Sequence, residues 1–151
     1  MKRMTQALAI TLALFPAAQA LAEATAIDVR KTNGCGCCLS WMHHLEENGF
    51  VPTGQDMFGG SLVRFKLDNG VPQRMVSCHT ALIERYVIEG HVSAADIRRL
   101  LAERPDVVGL AVPGMPYGSP GMGPEDDREA YDVFLIREDG STEIYSSYPE
   151  G

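Results

Sequence analysis

The stretch Ala26-Ile-Asp-Val-Arg-Lys-Thr-Asn-Gly-Cys-Gly-Cys-Cys38 decides the fold, because it passes from a strand pattern to a helix start. Its first seven residues, through Thr32, alternate apolar and polar side chains, which predicts a β-strand. Asn33-Gly34 predicts a turn, and a helix is expected to begin within the cysteines that follow. Its apolar face comprises Cys38, Trp41, Met42 and Leu45. Asn48-Gly49 predicts its end.

Strands and helices continue to alternate along the rest of the chain. The predicted elements are a strand from Phe50-Val51, a helix from Ser61 to Lys66, two short strands at 80–83 and 86–88 forming a hairpin, and a helix capped by Ser93 with Asp96 in a capping box. This order, strand–helix–strand–helix–strand–strand–helix, is that of the thioredoxin-like fold. We therefore predict an α/β protein with a thioredoxin-like fold.

The C-terminal third has a different composition. A short strand is expected at 109–112, and residues 113–124 then contain four prolines and four glycines, which exclude regular structure there. Residues 131–136 and 142–145 flank Asp139-Gly140, a strong hairpin turn signal. We therefore expect a β-hairpin added to the C-terminus of the thioredoxin-like fold.

Export is predicted by the N-terminus. Lys2 and Arg3 precede a short apolar stretch, and small residues follow at Ala18-Gln-Ala20 and Ala20-Leu-Ala22, which is the anatomy of a secretory signal peptide. The apolar run is shorter than the roughly 20 residues that a membrane anchor needs. We expect residues 1–22 to be a signal peptide, cleaved after Ala20 or Ala22, and residues 23–151 to form a single domain in the periplasm.

The charge of the chain argues against two classes of partner. The formal net charge is −7, and loss of residues 1–22 removes two basic groups and no acidic one, which makes it −9. A strongly acidic domain repels nucleic acid phosphates and anionic membrane surfaces. We therefore expect no nucleic acid partner, and no membrane contact after signal cleavage.

All four cysteines lie in two short motifs, Cys35-Gly-Cys-Cys38 and Cys78-His79. Three thiols within four residues are crowded for a structural disulfide framework, and a bridge between sequence neighbours is strained. In a thioredoxin-like fold the first motif lies at a helix start, where the helix dipole stabilises thiolates. The loop before the third strand lies against that helix start, so fold analogy predicts that Cys78 and His79 meet the first motif.

Several motifs together resemble the CopG-type proteins, a bacterial family linked to periplasmic copper resistance. They are Cys35-Gly-Cys-Cys38, Ser77-Cys-His-Thr-Ala81, Tyr86-Val-Ile-Glu-Gly-His-Val92, Asp96-Ile-Arg-Arg-Leu-Leu101, Gly109-Leu-Ala-Val-Pro-Gly-Met-Pro116 and Gly118-Ser-Pro-Gly-Met122. The resemblance covers nearly the whole mature chain. It implies a thioredoxin-like domain that holds copper in a thiolate-bridged cluster of several ions, with Cys35, Cys37, Cys38, Cys78 and His79 as ligands.

Copper also suits the chemistry of these residues. Cu(I) is soft and prefers thiolate and thioether ligands, and four converging thiolates can each bridge two ions. The thioethers of Met115 and Met122, in the proline- and glycine-rich loop, could close over the copper or could simply pack the loop onto the core. We expect the other periplasmic partners to be copper-handling proteins.

Other metals and functions fit the cysteine motifs less well than copper does. Zinc needs four tetrahedral ligands, which cysteines and His79 could supply, but adjacent Cys37-Cys38 strains chelation of one ion. An iron–sulfur cluster also uses four thiolates, but nothing in the chain explains its loading outside the cytoplasm. The alternative function is a thiol–disulfide oxidoreductase that uses Cys35 and Cys38, spaced as in redox motifs. A purely structural disulfide domain is disfavoured.

The remaining candidate residues receive structural interpretations. His43 and His44 lie on the first predicted helix, and at least one is expected to face solvent or to support packing. His91 follows the turn at Glu89-Gly90 and is expected to be structural or exposed. Trp41 is expected to lie in the core or to shield the cysteines.

Overall fold

The computed structural model describes residues 25–151, so the predicted signal peptide lies outside the described residues. The strands are β1 Thr25–Lys31, β2 Phe50–Asp56, β3 His79–Ile83, β4 Tyr86–Glu89, β5 Gly109–Ala111, β6 Tyr131–Ile136 and β7 Thr142–Tyr148. The helices are α1 Gly36–Glu47, α2 Gly59–Asp68 and α3 Ala94–Glu103, with 3₁₀ turns at Gln73–Met75 and Glu125–Asp127.

The seven strands form one mixed sheet in the order β2-β1-β3-β4-β5-β6-β7. Strand β1 pairs in parallel with β2 and antiparallel with β3, β3 and β4 form a hairpin, and β4 pairs in parallel with β5. Strands β6 and β7 extend the far edge as the second hairpin. The predicted α/β class and the added C-terminal hairpin are therefore confirmed. The thioredoxin-like assignment agrees with the order of elements and stays a prediction.

Each face of the sheet has its own core. One face packs against α1 and α3 through Trp41, Leu45, Ile97 and Leu100, all fully buried. A smaller cluster around Val71, Met75 and Val87 covers the other face. Because side chains alternate along a strand, His79 and Thr80 lie on opposite faces of β3. His79 therefore faces α1, while Thr80 contacts α2 through Lys66.

One helix start differs from the sequence prediction, and another agrees with it. Helix α2 begins at Gly59, two residues before Ser61, and the Ser61 hydroxyl donates to the Phe58 carbonyl within the first turn (2.6 Å) instead of capping the helix. Ser93 does cap α3, because its hydroxyl oxygen accepts the Asp96 N–H (3.1 Å). The Asp96 carboxylate accepts from Tyr148 and so joins β7 to α3.

None of the helices within residues 25–151 has the length and apolar character needed to cross a membrane.

Candidate metal centre

The strand register brings the two cysteine motifs together. Strand β1 ends at Lys31, whose partner across the antiparallel pair is His79, the first residue of β3. The chain leaving β1 turns within four residues into Cys35, the N-cap of α1, while Cys78 directly precedes β3. Both motifs therefore lie at the same edge of the sheet. The convergence that fold analogy predicted is present.

The sulfur atoms of the four cysteines form one compact group. All four lie within 4.8 Å of one another. The Cys78 Sγ is 3.7 Å from the Cys37 Sγ and 3.7 Å from the Cys38 Sγ, and the Cys35 and Cys37 sulfurs are 3.5 Å apart. Cys78 thus joins the two motifs. This spacing suits a metal site that shares sulfur atoms between ions.

Two of these sulfurs are joined in the structure. Cys35 and Cys38 form a disulfide, and their Cα atoms are 5.3 Å apart, while Cys37 and Cys78 are free thiols. This is the same pair that the sequence singles out for the alternative redox function. Reduction by two electrons is required before all four sulfurs can act as thiolate ligands.

The Cys78 thiol is protonated when no metal is bound. Burial, and next the neighbouring Cys37 thiol, raise the pKa of Cys78 to about 12. A metal binds the thiolate, so metal binding at Cys78 releases a proton. Cys78 differs in this respect from thiols whose pKa is lowered at a helix start.

His79 lies directly beside Cys78 and is fully buried. Its Nδ1 is 3.2 Å from the Cys78 Sγ, and its ring packs against Trp41 with the ring centroids 4.3 Å apart. Burial, followed by the proximity of His91, keeps its pKa well below the ordinary value, so the imidazole is neutral. Trp41 is itself fully buried and donates from Nε1 to the Val92 carbonyl (2.8 Å). Trp41 therefore belongs to the core, which confirms that alternative, and it packs on the imidazole beside Cys78.

His91 is a candidate ligand that the sequence interpretation missed. It is fully buried, its Nε2 is 3.1 Å from the Cys78 Sγ, and its Nδ1 is 2.8 Å from the Pro120 carbonyl oxygen. The pairing of the β3–β4 hairpin could have indicated that His91 lies near Cys78. Thr80 pairs with Glu89 across β3 and β4, and continuing that register by two residues sets Cys78 opposite His91.

The proline- and glycine-rich loop, residues 113–124, contacts the backbone at both cysteine motifs. Gly114 forms a bridge with Ser77, next to Cys78, and Gly121 packs against the backbone of α1. Met115 follows the first contact and is 54% exposed, and Met122 follows the second and is half-buried. Each methionine therefore follows a glycine whose backbone contacts one of the two elements that carry the cysteines. Their role as ligands stays a prediction.

The two histidines of α1 do not join the metal candidates. His43 is exposed and pairs with Glu46 and Glu47. The His44 Nε2 accepts the N–H of Ala94 at the start of α3 (3.1 Å), and burial lowers its pKa. One faces solvent and the other supports packing, as the sequence indicated.

A buried ion pair that the sequence analysis did not predict contacts residues 76–78, the Cys78 loop, which directly precedes β3. The Lys66 ammonium is 2.7 Å from the Glu89 carboxylate, and both side chains are almost completely buried. The same carboxylate accepts the backbone N–H of Ser77 (2.6 Å) and the Thr80 hydroxyl (2.5 Å). Burial raises the pKa of Glu89, although Lys66 opposes that shift. The pair holds the backbone that carries Cys78.

A substitution at Gly121 tests whether close packing holds the loop on α1. A Cβ there would lie 2.6 Å from the backbone nitrogen of Trp41 and 3.1 Å from the Cys37 carbonyl oxygen. Gly121→Ala is therefore expected to lower the free energy of unfolding by about 3 kcal/mol or more, measured by urea denaturation. Gly114→Ala is the matched control, because Gly114 also has a positive φ but has open space around it. A loss of only about 1 kcal/mol is expected there, and equal losses in both variants would contradict the packing argument.

Residues 75–122 match a family described as "Protein of unknown function, DUF411". No curated protein matches the chain. A solved structure described as copper resistance protein copG, form 1, is 46% identical with a TM-score of 0.78, and the match covers 84% of this chain and 99% of that chain. Form 2 of the same protein is 47% identical with a TM-score of 0.76, covering 84% of this chain and all of that chain.

The chain belongs to the CopG family. The CopG structures share the mixed α/β sheet and the three helices described above. The segment 75–122 contains Cys78, His79, His91 and the loop that carries Met115 and Met122. The chain is therefore a structural relative of copper resistance proteins with a cysteine group that could hold metal.

Proposed function

We propose that this protein is a periplasmic copper-binding protein that holds Cu(I) as a thiolate-bridged cluster of several ions, in the service of copper resistance. The observation that carries the proposal is the sulfur group: Cys35, Cys37, Cys38 and Cys78 lie within 4.8 Å of one another at one edge of the sheet. The similarity to copper resistance proteins supports copper as the metal.

Ligand preference favours Cu(I) over harder ions. Thiolate and thioether ligands select Cu(I), whereas oxygen ligands suit magnesium and calcium. One Cu(I) ion commonly needs only two or three sulfurs, so four sulfurs in contact exceed the need of a single ion. Bridging lets each thiolate serve two ions. Cys37 and Cys78 each adjoin two other sulfurs, and both are therefore well placed as bridging ligands.

The surroundings stabilise a negatively charged thiolate group. Cys35 is the N-cap of α1, and Cys37 and Cys38 occupy its first turn, where unpaired backbone N–H groups and the helix dipole favour anions. Trp41 and His79 close the buried side. The loop that carries Met115 and Met122 contacts Ser77 and α1, and its thioethers would suit soft copper as further ligands.

Copper resistance can follow by sequestration or by redox cycling. In sequestration the reduced thiolates retain Cu(I) until another copper-handling protein receives it. In redox cycling the Cys35 and Cys38 thiols form their disulfide, release two protons and pass one electron to each of two Cu(II) ions, which become Cu(I). A disulfide between Cys35 and Cys38, the pair joined in the structure, would be the oxidised product of that step.

The metal content of the mature protein tests the proposal. The protein is purified anaerobically from copper-fed periplasm, its copper is measured by mass spectrometry, and its free thiols are counted in parallel. More than one copper per chain, with the thiols blocked by metal, is expected. Copper-free protein with a Cys35–Cys38 disulfide would overturn the proposal.

The disulfide favours one alternative function, a thiol–disulfide oxidoreductase in which Cys35 attacks and Cys38 resolves. Cys37 and Cys78 argue against it, because their sulfurs lie 3.5 to 3.7 Å from that pair and would trap mixed disulfides. An insulin-reduction assay separates the two functions. A copper-binding protein is expected to be nearly inactive in it, whereas sustained turnover would support the oxidoreductase.

A further inference from the structure

A cavity of about 370 Å³ lies between α1, the start of α3, the C-terminal hairpin and the loop of residues 113–124. Cavities of about 300–1,000 Å³ hold small ligands in proteins. One wall consists of the half-buried rings of Tyr131 and Tyr148, which are stacked with their centroids 4.8 Å apart and their planes 10° from parallel. Polar groups and loop backbone contribute to the rest of the wall, among them His44, Ser93, Pro120 and Glu125.

The cavity wall favours a flat ring with polar substituents. A stacked tyrosine pair offers an aromatic face to another ring. The Nε2 of His44 accepts the Ala94 N–H (3.1 Å), and burial lowers the pKa of His44, so the neutral ring carries its hydrogen on Nδ1 and donates there. The Glu125 carboxylate pairs with Arg128 through Oε1 (2.8 Å) and has a second oxygen that accepts. An aromatic ring with hydroxyl groups matches all three features.

A hydrogen bond joins this cavity to the surroundings of Cys78. Pro120, in the cavity wall, accepts from the Nδ1 of His91 (2.8 Å), and the Nε2 of His91 is 3.1 Å from the Cys78 Sγ. His91 also precedes Ser93 by two residues, and the Ser93 hydroxyl is 2.9 Å from the hydroxyl of Tyr148. The cavity and the cysteine group are therefore connected through bonds and short contacts.

A second connection runs through Trp41. Its ring packs on His79 with the centroids 4.3 Å apart, and its indole N–H donates to the Val92 carbonyl (2.8 Å). Val92 directly precedes Ser93, so this route reaches the same hydroxyl of Tyr148. Electrons tunnel through a protein faster along covalent bonds, hydrogen bonds and ring contacts than across open space. Both routes consist of such links from the cysteine group to the cavity wall.

We propose that this cavity binds a quinol and that the bound quinol supplies electrons to copper at the cysteine group. The inference rests on the proposed function and identifies the chemical class of its electron donor. In the step, one quinol loses two electrons and two protons and becomes a quinone, while two Cu(II) ions each gain one electron and become Cu(I). The largely exposed Glu125 carboxylate passes the protons to solvent. Because the quinol supplies the electrons, the cysteine thiols are not consumed and stay available as ligands.

Binding of tetramethylhydroquinone to the metal-free protein is the first test. Its fully substituted ring does not add the free thiols of Cys37 and Cys78 when it is oxidised. The amide chemical shifts of the isotope-labelled protein are followed during an anaerobic titration. We expect saturable shift changes that centre on the cavity wall. Changes that do not saturate, or none up to the solubility of the quinol, would overturn the inference.

Tyrosine substitutions show whether the stacked pair holds the ring. Tyr131→Ala is expected to weaken quinol binding about tenfold, because a stacking partner is lost. Tyr145→Ala is the matched control, since Tyr145 is a half-buried tyrosine of β7 that lies outside the cavity wall and contacts Arg99. It should leave the affinity unchanged, and equal losses in both variants would contradict the site. The shift map of the intact protein decides the question even if Tyr131→Ala fails to fold.

Copper-loaded protein tests the electron step. The intact protein and Tyr131→Ala are loaded with equal Cu(II), freed of unbound metal and mixed anaerobically with tetramethylhydroquinone. Quinone formation is followed by ultraviolet absorption and loss of Cu(II) by electron paramagnetic resonance. We expect one quinone for two Cu(II) lost, with a rate that saturates with quinol and falls about tenfold in the variant at low quinol concentration. A rate without saturation that is equal in both proteins would show direct reaction at the metal and overturn the inference.

This inference and the proposed function fail separately. Intact protein that binds copper, but whose copper is reduced without any dependence on Tyr131, overturns the quinol site and leaves the copper-binding function standing. Intact protein that takes up no copper overturns the proposed function and the electron step together.

Discussion

Cys78→Ser is expected to reduce the copper bound per chain by about half or more, because one thiolate that joins several ions is lost. The Cys78 sulfur is within 3.7 Å of Cys37 and of Cys38, and it also contacts both buried histidines. Serine is similar in size, and its oxygen is a poor ligand for Cu(I). The measurement is the copper-to-protein ratio after anaerobic loading with Cu(I) and removal of loosely bound metal.

Cys37→Ser is the matched control for this substitution. Cys37 is the other free thiol, and its sulfur contacts two neighbours, Cys35 and Cys78, but no imidazole. We expect a smaller loss of copper in that variant. Circular dichroism should show the same fold for both variants, since Cys78 directly precedes β3 and is only partly buried. An unchanged copper ratio in Cys78→Ser would show that the two motifs do not share a metal site.

The convergence of the two cysteine motifs could be predicted because it depends on the order of elements. The alternation of strand-like and helix-like hydrophobic periodicity along the chain predicts the order of strands, helices and hairpin. Fold analogy then predicts that Cys78 lies close to the start of α1. The distances among the sulfurs depend on the β1–β3 register, which sets His79 opposite Lys31. No local pattern encodes that register, so the distances from Cys78 to the sulfurs of the first motif required the structure.

The contact of His91 with Cys78 was not predicted because the predicted hairpin stopped too early. The expected strands ended at Ile83 and Ile88, whereas β4 continues to Glu89 and its pairing aligns the following residues with Cys78. A histidine after a glycine turn resembles an exposed loop residue in sequence alone. Its burial depends on Pro120, which lies 29 positions away and accepts its hydrogen bond.

The Lys66–Glu89 pair was missed for a different reason. Lysine near the end of a helix and glutamate beside a turn are ordinary surface residues in sequence. Their burial arises from tertiary packing, because α2 lies over the face of the sheet that carries Thr80 and Glu89. A charged residue in the core becomes recognisable only when its partner is known.

Lys66→Met is expected to lower the free energy of unfolding by about 3–5 kcal/mol, because it leaves the Glu89 carboxylate buried without its cation. Glu89 is fully buried and also binds the Ser77 backbone and the Thr80 hydroxyl. The carboxylate must then stay ionised at high cost or bind a proton. The measurement is urea denaturation of the metal-free protein with its disulfide intact.

The double variant Lys66→Met with Glu89→Gln separates lost charge pairing from lost packing. Glutamine keeps the length of glutamate, its amide oxygen can still accept the Ser77 N–H while its amide nitrogen donates to the Thr80 hydroxyl, and no buried charge remains. We expect it to recover most of the stability lost in the single variant. Since the Glu89 oxygen that accepts the Ser77 N–H also pairs with Lys66, the single variant should in addition retain less copper than the double variant. Equal stability of the two variants would show that the Lys66 and Glu89 side chains stabilise the fold through packing and not through charge pairing. The backbone that carries Cys78 would then be held by its other contacts.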